Sequence, residues 1–230
     1  MDLGKTRQEI CKVGKLLYER GYVVSNDGNV SVRVDEDTLL VTASGVGKGR
    51  MKPGDLVLCD LRGHVLPEDT SGRHPSSEVQ MHALVYAERP DVRAVVHAHP
   101  VTATAFAICR RPLYEPYLCE MVVNFHGIPV ADFALPSTDE VPRSILPYVH
   151  DHDGMLLANH GALAYGPDLW AAFDLMETIE HTAKVYAQVA SLGGGVELDA
   201  GQVDRLLGLR SFYRQRASVR EDDVVGKDCQ

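Results

Sequence analysis

Two histidines at positions 97 and 99 could bind a metal ion from one face of a β-strand. They lie in the run Val-Val-His-Ala-His-Pro at residues 95–100. The two β-branched residues favour a strand, and Pro100 is typical of a strand end. Alternate residues of a strand point to the same face, so the two imidazoles would lie side by side.

Two further side chains, distant in the chain, could complete such a site. His160 follows the apolar run Met-Leu-Leu-Ala-Asn at residues 155–159, and Glu78 lies in Pro-Ser-Ser-Glu at residues 75–78. A single histidine in such a run would be interpreted as a core residue. Two histidines on one strand face, together with a third histidine at another strand end and a carboxylate, instead indicate a binding site for a divalent cation. Zn²⁺ is the first expectation.

The elements that must position these side chains follow from hydrophobic periodicity. Apolar residues at helical spacing predict a first helix over residues 5–20, and a serine pair at the helix start predicts another helix from Ser76 to about Glu88. Short β-rich runs predict strands within 22–45, a hairpin over 56–67, and strands at 93–99, 128–133, 155–159 and 162–165. Further helices are predicted over 101–109, after Glu140, over 168–191 and near 200–217.

Composition restricts the classes of function. The 230 residues carry a formal net charge of −9, which argues against generic binding to nucleic acid or anionic membranes. The N-terminus has no apolar signal core, and no apolar run is long enough to span a membrane. The five cysteines form no Cys-X-X-Cys motif, which indicates reduced thiols and a cytoplasmic protein. We expect one domain over 1–217 and a charged, flexible tail over 218–230.

Five motifs occur together in a characteristic order. They are Asp-Gly-Asn-Val-Ser-Val-Arg at 27–33, Thr-Ala-Ser-Gly at 42–45, Pro-Ser-Ser-Glu at 75–78, Val-Val-His-Ala-His-Pro at 95–100 and Asn-His-Gly at 159–161. In this order and spacing the sequence resembles the class II aldolase/adducin family, typified by the zinc-dependent fuculose-phosphate aldolases. The resemblance implies a single α/β domain, with a mostly antiparallel central sheet covered by helices on both faces. It also implies a homotetramer with its active site at the subunit interface.

The resemblance assigns roles to individual residues. The metal ligands would be Glu78, His97, His99 and His160, with Mn or Co as alternatives to Zn, and Glu78 would also be the base. The substrate phosphate would be bound by Gly28, Asn29, Ser44, Gly45, Ser76 and Ser77. The chemistry suits an anion, because glycines allow close backbone approach and a helix start presents free N–H groups. Lys48 and Arg50 could add attraction, but we expect both to lie in solvent, and His82 and His181 could support the ligands from helices.

Three further residues are candidates for proton transfer on the same resemblance. Tyr213, in Leu-Arg-Ser-Phe-Tyr-Arg, matches a C-terminal tyrosine that protonates the aldehyde oxygen, delivered by a neighbouring subunit. Tyr117, with Tyr114 as a second choice, lies in Leu-Tyr-Glu-Pro-Tyr-Leu-Cys-Glu, where the sequence departs from the fuculose-phosphate aldolase pattern. Glu120 is a rival base, because a rhamnulose-phosphate aldolase-like branch uses a glutamate in this region.

The predicted activity is that of a metal-dependent lyase. It would cleave a ketose phosphate by a retro-aldol reaction into dihydroxyacetone phosphate and an aldehyde. Pentulose-phosphate 4-epimerisation, dehydration of a thioether pentulose phosphate and metal-assisted decarboxylation remain open, as does an adducin-like binding role without catalysis. Glu78 favours the aldolase branch over the epimerases, which carry aspartate there. A decarboxylase would need a basic side chain near the pocket, for which Arg73 is the candidate.

Overall fold

The computed structural model describes residues 2–125 and 127–217, and it describes the side chains of the last helix as far as Leu209. The strands are β1 (Asn29–Arg33), β2 (Thr38–Thr42), β3 (Leu56–Asp60), β4 (Ala94–Ala98), β5 (Val130–Ala131), β6 (Gly154–Leu157) and β7 (Gly161–Gly166). The α-helices are α1 (Leu3–Glu19), α2 (Val79–Glu88), α3 (Val101–Ile108), α4 (Cys119–Asn124), α5 (Glu140–Val149), α6 (Leu169–Ser191) and α7 (Ala200–Ala217).

The strands form one seven-stranded sheet in the order β3-β2-β1-β4-β7-β6-β5. Every neighbouring pair is antiparallel except β5 and β6. This parallel pair arises because α5 connects the two strands as a crossover helix. The strand predicted over 128–133 is reduced to two residues, since Pro129 has no N–H to contribute to a ladder. The predicted fold class is confirmed, with a mixed rather than wholly antiparallel sheet.

Helices cover both faces of the sheet and create three layers. Apolar side chains of α1, α3, α4 and α6 pack on one face, and those of α2 and α5 pack on the other. The alternation of strand residues divides them between the two cores: Val96 of β4 faces the first group of helices, and Val95 faces the second. His97 shares the side of Val95 and is fully buried beneath the α2 layer.

Strand β1 departs from the usual apolar pattern on the face that meets α2. Asn29, Ser31 and Arg33 alternate along this face, and all three are buried. They find partners on α2: Ser31 bonds both His82 and Tyr86, and Arg33 donates to the Tyr86 carbonyl. Buried polar groups need such partners, so the polar residues of β1 and α2 satisfy each other's hydrogen bonds.

The C-terminal part of the chain is only partly described. Helix α7 matches the element predicted near 200–217. Tyr213 and the tail at 218–230 lie outside the residues whose side chains are described. Within the described residues, no helix is long and apolar enough to cross a membrane.

Candidate metal centre

Three histidines meet where neighbouring strands β4 and β7 face each other. His97 lies in β4, His99 follows its end, and His160 precedes the start of β7. Their potential ligand nitrogens all lie within 4.8 Å of one another. The Nε2 atoms of His97 and His99 are 3.1 Å apart. The sheet register therefore brings together three side chains that the sequence keeps up to 63 positions apart (160 − 97).

The turn into β7 is built to let His160 approach the pair. Asn159 adopts a left-handed conformation with φ +57°, which asparagine tolerates better than most residues. Gly161 then passes so close to β4 that a β-carbon would lie 2.5 Å from both the Ala98 carbonyl oxygen and His99 Cδ2. The Asn-His-Gly motif thus supplies a residue that tolerates a left-handed conformation before His160 and a residue without a side chain after it.

Hydrogen bonding and burial leave these imidazoles ready to act as ligands. His97 Nδ1 lies 2.9 Å from the carbonyl oxygen of Ala162, so Nδ1 carries the proton and Nε2 presents a lone pair to the cluster. Burial lowers the pKa of His99 to about 3 and that of His160 to about 4, with His97 adding to both shifts. Both rings are therefore neutral near pH 7, which is the form that binds metals.

Glu78 brings a carboxylate to the same point from the start of α2. Its Oε2 lies 3.3 Å from His97 Nε2, and its Oε1 lies 3.4 Å from His160 Nε2. Burial raises the pKa of Glu78, but His97, His160 and a hydrogen bond from Asn29 outweigh it and hold the pKa well below its ordinary value. The carboxylate of Glu78 is therefore ionised where it faces the histidine cluster.

The donor set fits a divalent cation. Glu78 Oε1 is buried and has no hydrogen-bond partner among the described residues. A buried unpartnered carboxylate oxygen and facing lone pairs are unfavourable unless a cation lies between them. Three imidazoles and a carboxylate suit zinc, and they also suit other first-row divalent metals.

A chain of buried hydrogen bonds supports Glu78 from behind. Asn29 Nδ2 donates to Glu78 Oε2 over 3.0 Å, and Asn29 Oδ1 lies 2.5 Å from His82 Nε2. His82 Nδ1 lies 2.6 Å from Ser31 Oγ, which lies 2.8 Å from the Tyr86 hydroxyl. A carboxylate only accepts, so Asn29 Nδ2 must face it; His82 Nε2 then donates to Asn29 Oδ1, and Ser31 Oγ donates to His82 Nδ1.

The strand that carries the histidines is anchored by a residue that the sequence did not single out. Helix α3 begins directly after Pro100, which has no side chain able to cap it. Glu180 of α6, which is 1 % exposed, accepts from the backbone N–H groups of Thr102 and Ala103 instead. This distant cap fixes the direction of the chain just beyond His99.

A cleft of about 210 Å³ opens beside the cluster. It is lined by all six residues predicted to bind phosphate, namely Gly28, Asn29, Ser44, Gly45, Ser76 and Ser77, together with Glu78, His99 and His160. A short bridge between Ala43 and Pro75 holds two of the loops side by side. The cleft also includes Ser137, whose hydroxyl donates to Ser77 Oγ.

The expectation that Lys48 lies in solvent is wrong. Lys48 is 2 % exposed and lines the cleft, whereas Arg50 is exposed as expected. The Lys48 ammonium donates to the carbonyl oxygens of Asn26 at 2.8 Å and Val46 at 2.9 Å. Burial lowers the pKa of Lys48 to about 8, against the opposing effects of Asp27 and Glu78. The short 3-10 turn over Lys48–Arg50 packs against α1, which is why the side chain turns inward.

Three other residues predicted for proton transfer, Tyr114, Tyr117 and Glu120, do not line the cleft of their own chain. Tyr117 is half-buried against Tyr186, with ring centroids 5.3 Å apart, and both line a separate cavity of about 340 Å³. Tyr114 and Glu120 are exposed. The side chain of Tyr213 lies outside the described residues.

Two other basic or imidazole candidates also lie elsewhere. Arg73 pairs with Asp55 at 2.6 Å and does not line the cleft. His181 is exposed on α6, whereas His82 supports Glu78 through Asn29. Of the two helical histidines, only His82 is connected to the cluster in the part of the chain described.

The three-layer fold and the histidine–carboxylate centre beside an anion-sized cleft define an aldolase-type enzyme of the metal-dependent class. The chain belongs to the class II aldolase family: the family model described as Class II Aldolase and Adducin N-terminal domain matches residues 8–187.

Similar proteins carry two kinds of activity. A 3-oxo-tetronate 4-phosphate decarboxylase of Haemophilus influenzae is 32% identical over 185 residues, covering 78% of this chain and 86% of the relative. A 5-deoxy-D-ribulose 1-phosphate aldolase of Bacillus thuringiensis is 31% identical over 219 residues, covering 94% and 100%. The solved structure of an L-fuculose 1-phosphate aldolase superimposes with a TM-score of 0.81 at 32% identity, covering 90% of this chain and 95% of that one.

Proposed function

We propose that this enzyme cleaves a ketose phosphate by a retro-aldol reaction to dihydroxyacetone phosphate and an aldehyde. One observation carries the proposal: Glu78, His99 and His160, which we propose as metal ligands, line the same cleft as the loops suited to phosphate. A single substrate can therefore place its phosphate on the loops and its reacting carbons at the cluster. The aldolases among the similar proteins support this assignment.

A divalent cation would be held by Glu78, His97, His99 and His160. We infer Zn²⁺ from the donor set, with Mn²⁺ or Co²⁺ as alternatives. When bound, the cation supplies Lewis acidity that polarises a carbonyl and stabilises developing negative charge.

The chain's own residues account for substrate orientation and for the proton on carbon. The backbone at Gly28 and Gly45 and the hydroxyls of Ser44, Ser76 and Ser77 would orient the phosphate. Glu78 Oε1 has no hydrogen-bond partner, whereas Oε2 is held by Asn29. In the direction of bond formation Oε1 would remove a proton from the carbon next to the carbonyl, and in cleavage Glu78 would first take up a proton from solvent and then give it to that carbon.

Cleavage also requires a base for a second proton, which lies on the hydroxyl of the carbon that becomes the aldehyde. This proton needs a group other than Glu78. We propose Tyr213 or Tyr117 as this group, with Glu120 as the rival, each delivered by a neighbouring copy of the chain. Support comes from their position, since Tyr117 and Glu120 lie outside their own chain's cleft. We accordingly propose a homotetramer, and the free cysteines among the described residues support a cytoplasmic location.

Decarboxylation of a 3-oxo acid phosphate is the second candidate. Lys48 supplies the basic side chain in the cleft that Arg73 does not, and several similar proteins are decarboxylases. Both reactions break the bond on the far side of the carbon next to a carbonyl and leave negative charge as an enolate, so the same centre could serve either one.

The deciding experiment assays the metal-loaded protein on ketose 1-phosphates and on 3-oxo acid phosphates. Triose-phosphate release and carbon dioxide release are measured in parallel. We expect triose phosphate from a ketose 1-phosphate, with loss of activity and of bound metal in His97→Ala. The matched control is His64→Ala, which removes an exposed histidine paired with Asp60. Carbon dioxide release alone would replace the aldolase proposal, and full activity in His97→Ala would overturn both.

A further inference from the structure

Lys48 is the single Lys or Arg among the described residues that line the cleft. The protein as a whole is acidic, with a formal net charge of −9. An anionic substrate that enters the cleft therefore meets the carboxylates of Asp27 and Glu78 and only one ammonium group. The position of this ammonium group decides how an anion can be bound there.

The ammonium group connects the two loops that form the anion-binding wall. One of its N–H groups donates to Asn26, three residues before Asn29, and another donates to Val46, next to Gly45. The loop around Gly28 and the loop around Ser44 are thus held at a fixed separation by one side chain. An ammonium group has three donors, and these two carbonyls use two of them.

The third donor has no partner among the described residues. No carboxylate lies within ion-pair distance of Lys48 in this part of the chain, and Asp27 and Glu78 act on it only over longer distances. A buried cation without a counter-ion is unfavourable, so an anion bound beside Lys48 would relieve this cost. The two loops that Lys48 joins are those predicted to bind the substrate phosphate, so a phosphate is the anion that we expect there.

We propose that Lys48 determines specificity for a phosphate monoester, by donating its third N–H to a phosphate oxygen between the loops at Gly28–Asn29 and Ser44–Gly45. This inference rests on the proposed function, because it assigns the phosphate to that wall of the cleft. If the substrate also has a carboxylate, the inference places that carboxylate away from this wall of the cleft. Lys48 is a binding residue here and takes no part in proton transfer.

The test compares Lys48→Met and Lys48→Gln with the wild type, all loaded with Zn²⁺. Inorganic phosphate and acetate are titrated separately by calorimetry, and kcat and KM are measured on a ketose 1-phosphate. We expect phosphate affinity to fall about 10- to 100-fold in both variants, which is the size of a lost charge-assisted hydrogen bond. KM should rise by a similar factor while kcat changes little, and zinc content should stay stoichiometric.

Arg50→Met is the matched control, since it removes one positive charge from an exposed position two residues away. It should leave phosphate affinity within about twofold, because exposed charges are screened. Lys48→Gln keeps N–H donors for the loops, so it remains informative if Lys48→Met does not fold. Unchanged phosphate affinity in Lys48→Gln would overturn the inference, as would a selective loss of acetate binding. The phosphate titration decides this even if the wild type cleaves no ketose phosphate, an outcome that would contradict the proposed function alone.

Discussion

His82 Nε2 lies 2.5 Å from Asn29 Oδ1, although the two residues are 53 positions apart in the sequence. This contact determines the orientation of the Asn29 amide, because Oδ1 is occupied by His82 and Nδ2 is directed to Glu78. Burial lowers the pKa of His82 to about 3, so the ring stays neutral and keeps one donor and one acceptor. A fully buried histidine thus orients the carboxylate of the proposed metal centre through one amide group.

Replacing His82 with leucine should weaken the centre without removing a ligand. The change leaves Asn29 Oδ1 without its buried partner and removes one of the two partners of Ser31 Oγ, so we expect the free energy of unfolding to fall by about 1–3 kcal/mol. The freed amide can then turn its oxygen towards Glu78, so we also expect zinc affinity to fall about tenfold.

Chelator competition and urea unfolding measure the two effects separately. His82→Gln, which keeps one donor and one acceptor, should recover part of the zinc affinity. If His82→Leu loses only stability and binds zinc as tightly as the wild type, the orienting role of His82 is wrong.

Gly161→Ala should disrupt the approach of His160 to the other two histidines. The added methyl group would lie 2.5 Å from Ala98 O and from His99 Cδ2, and the Ala98 oxygen belongs to the backbone of the neighbouring strand. We expect a loss of about 1–3 kcal/mol in the free energy of unfolding, together with substoichiometric zinc after dialysis.

Gly54→Ala is the control for this substitution. A β-carbon there meets nothing within 4 Å, and the backbone does not require a positive φ. Equal zinc retention in the two variants would show that β4 and β7 can separate without loss of the site.

Glu180→Leu tests whether the cap of α3 positions His99. The substitution leaves the N–H groups of Thr102 and Ala103 without an acceptor, and we expect about 1–3 kcal/mol less stability in urea unfolding. Zinc affinity should fall as well, since the chain beyond Pro100 is no longer fixed. Glu180→Gln keeps one acceptor oxygen and should restore most of the zinc affinity, whereas unchanged zinc affinity in Glu180→Leu would leave Glu180 with a purely structural role.

The sequence predicted those parts of the site that depend on short-range patterns. His97 and His99 could be placed on one face because β-branched residues and a two-residue period determine a strand locally. The partnership of Asn29 with His82 depends on how α2 packs on β1, which no local pattern encodes. The burial of Lys48 depends in the same way on a turn packing against α1. From the charge of Lys48 alone, the side chain was predicted to be exposed to solvent.

The metal-free protein should lose stability as the pH falls from about 6.5 towards 4. Burial lowers the pKa of His82 and His99 to about 3 and that of His160 to about 4, whereas these groups titrate near 6.5 when unfolded. Below pH 6.5 the unfolded chain therefore binds more protons than the folded chain, and acid favours unfolding. Urea unfolding at pH 7, 6 and 5 measures this, and we expect a steady fall in the free energy of unfolding. His64→Ala, at an exposed site, should show the same dependence, whereas stability that is constant down to pH 5 would mean that the three rings are protonated in the folded state.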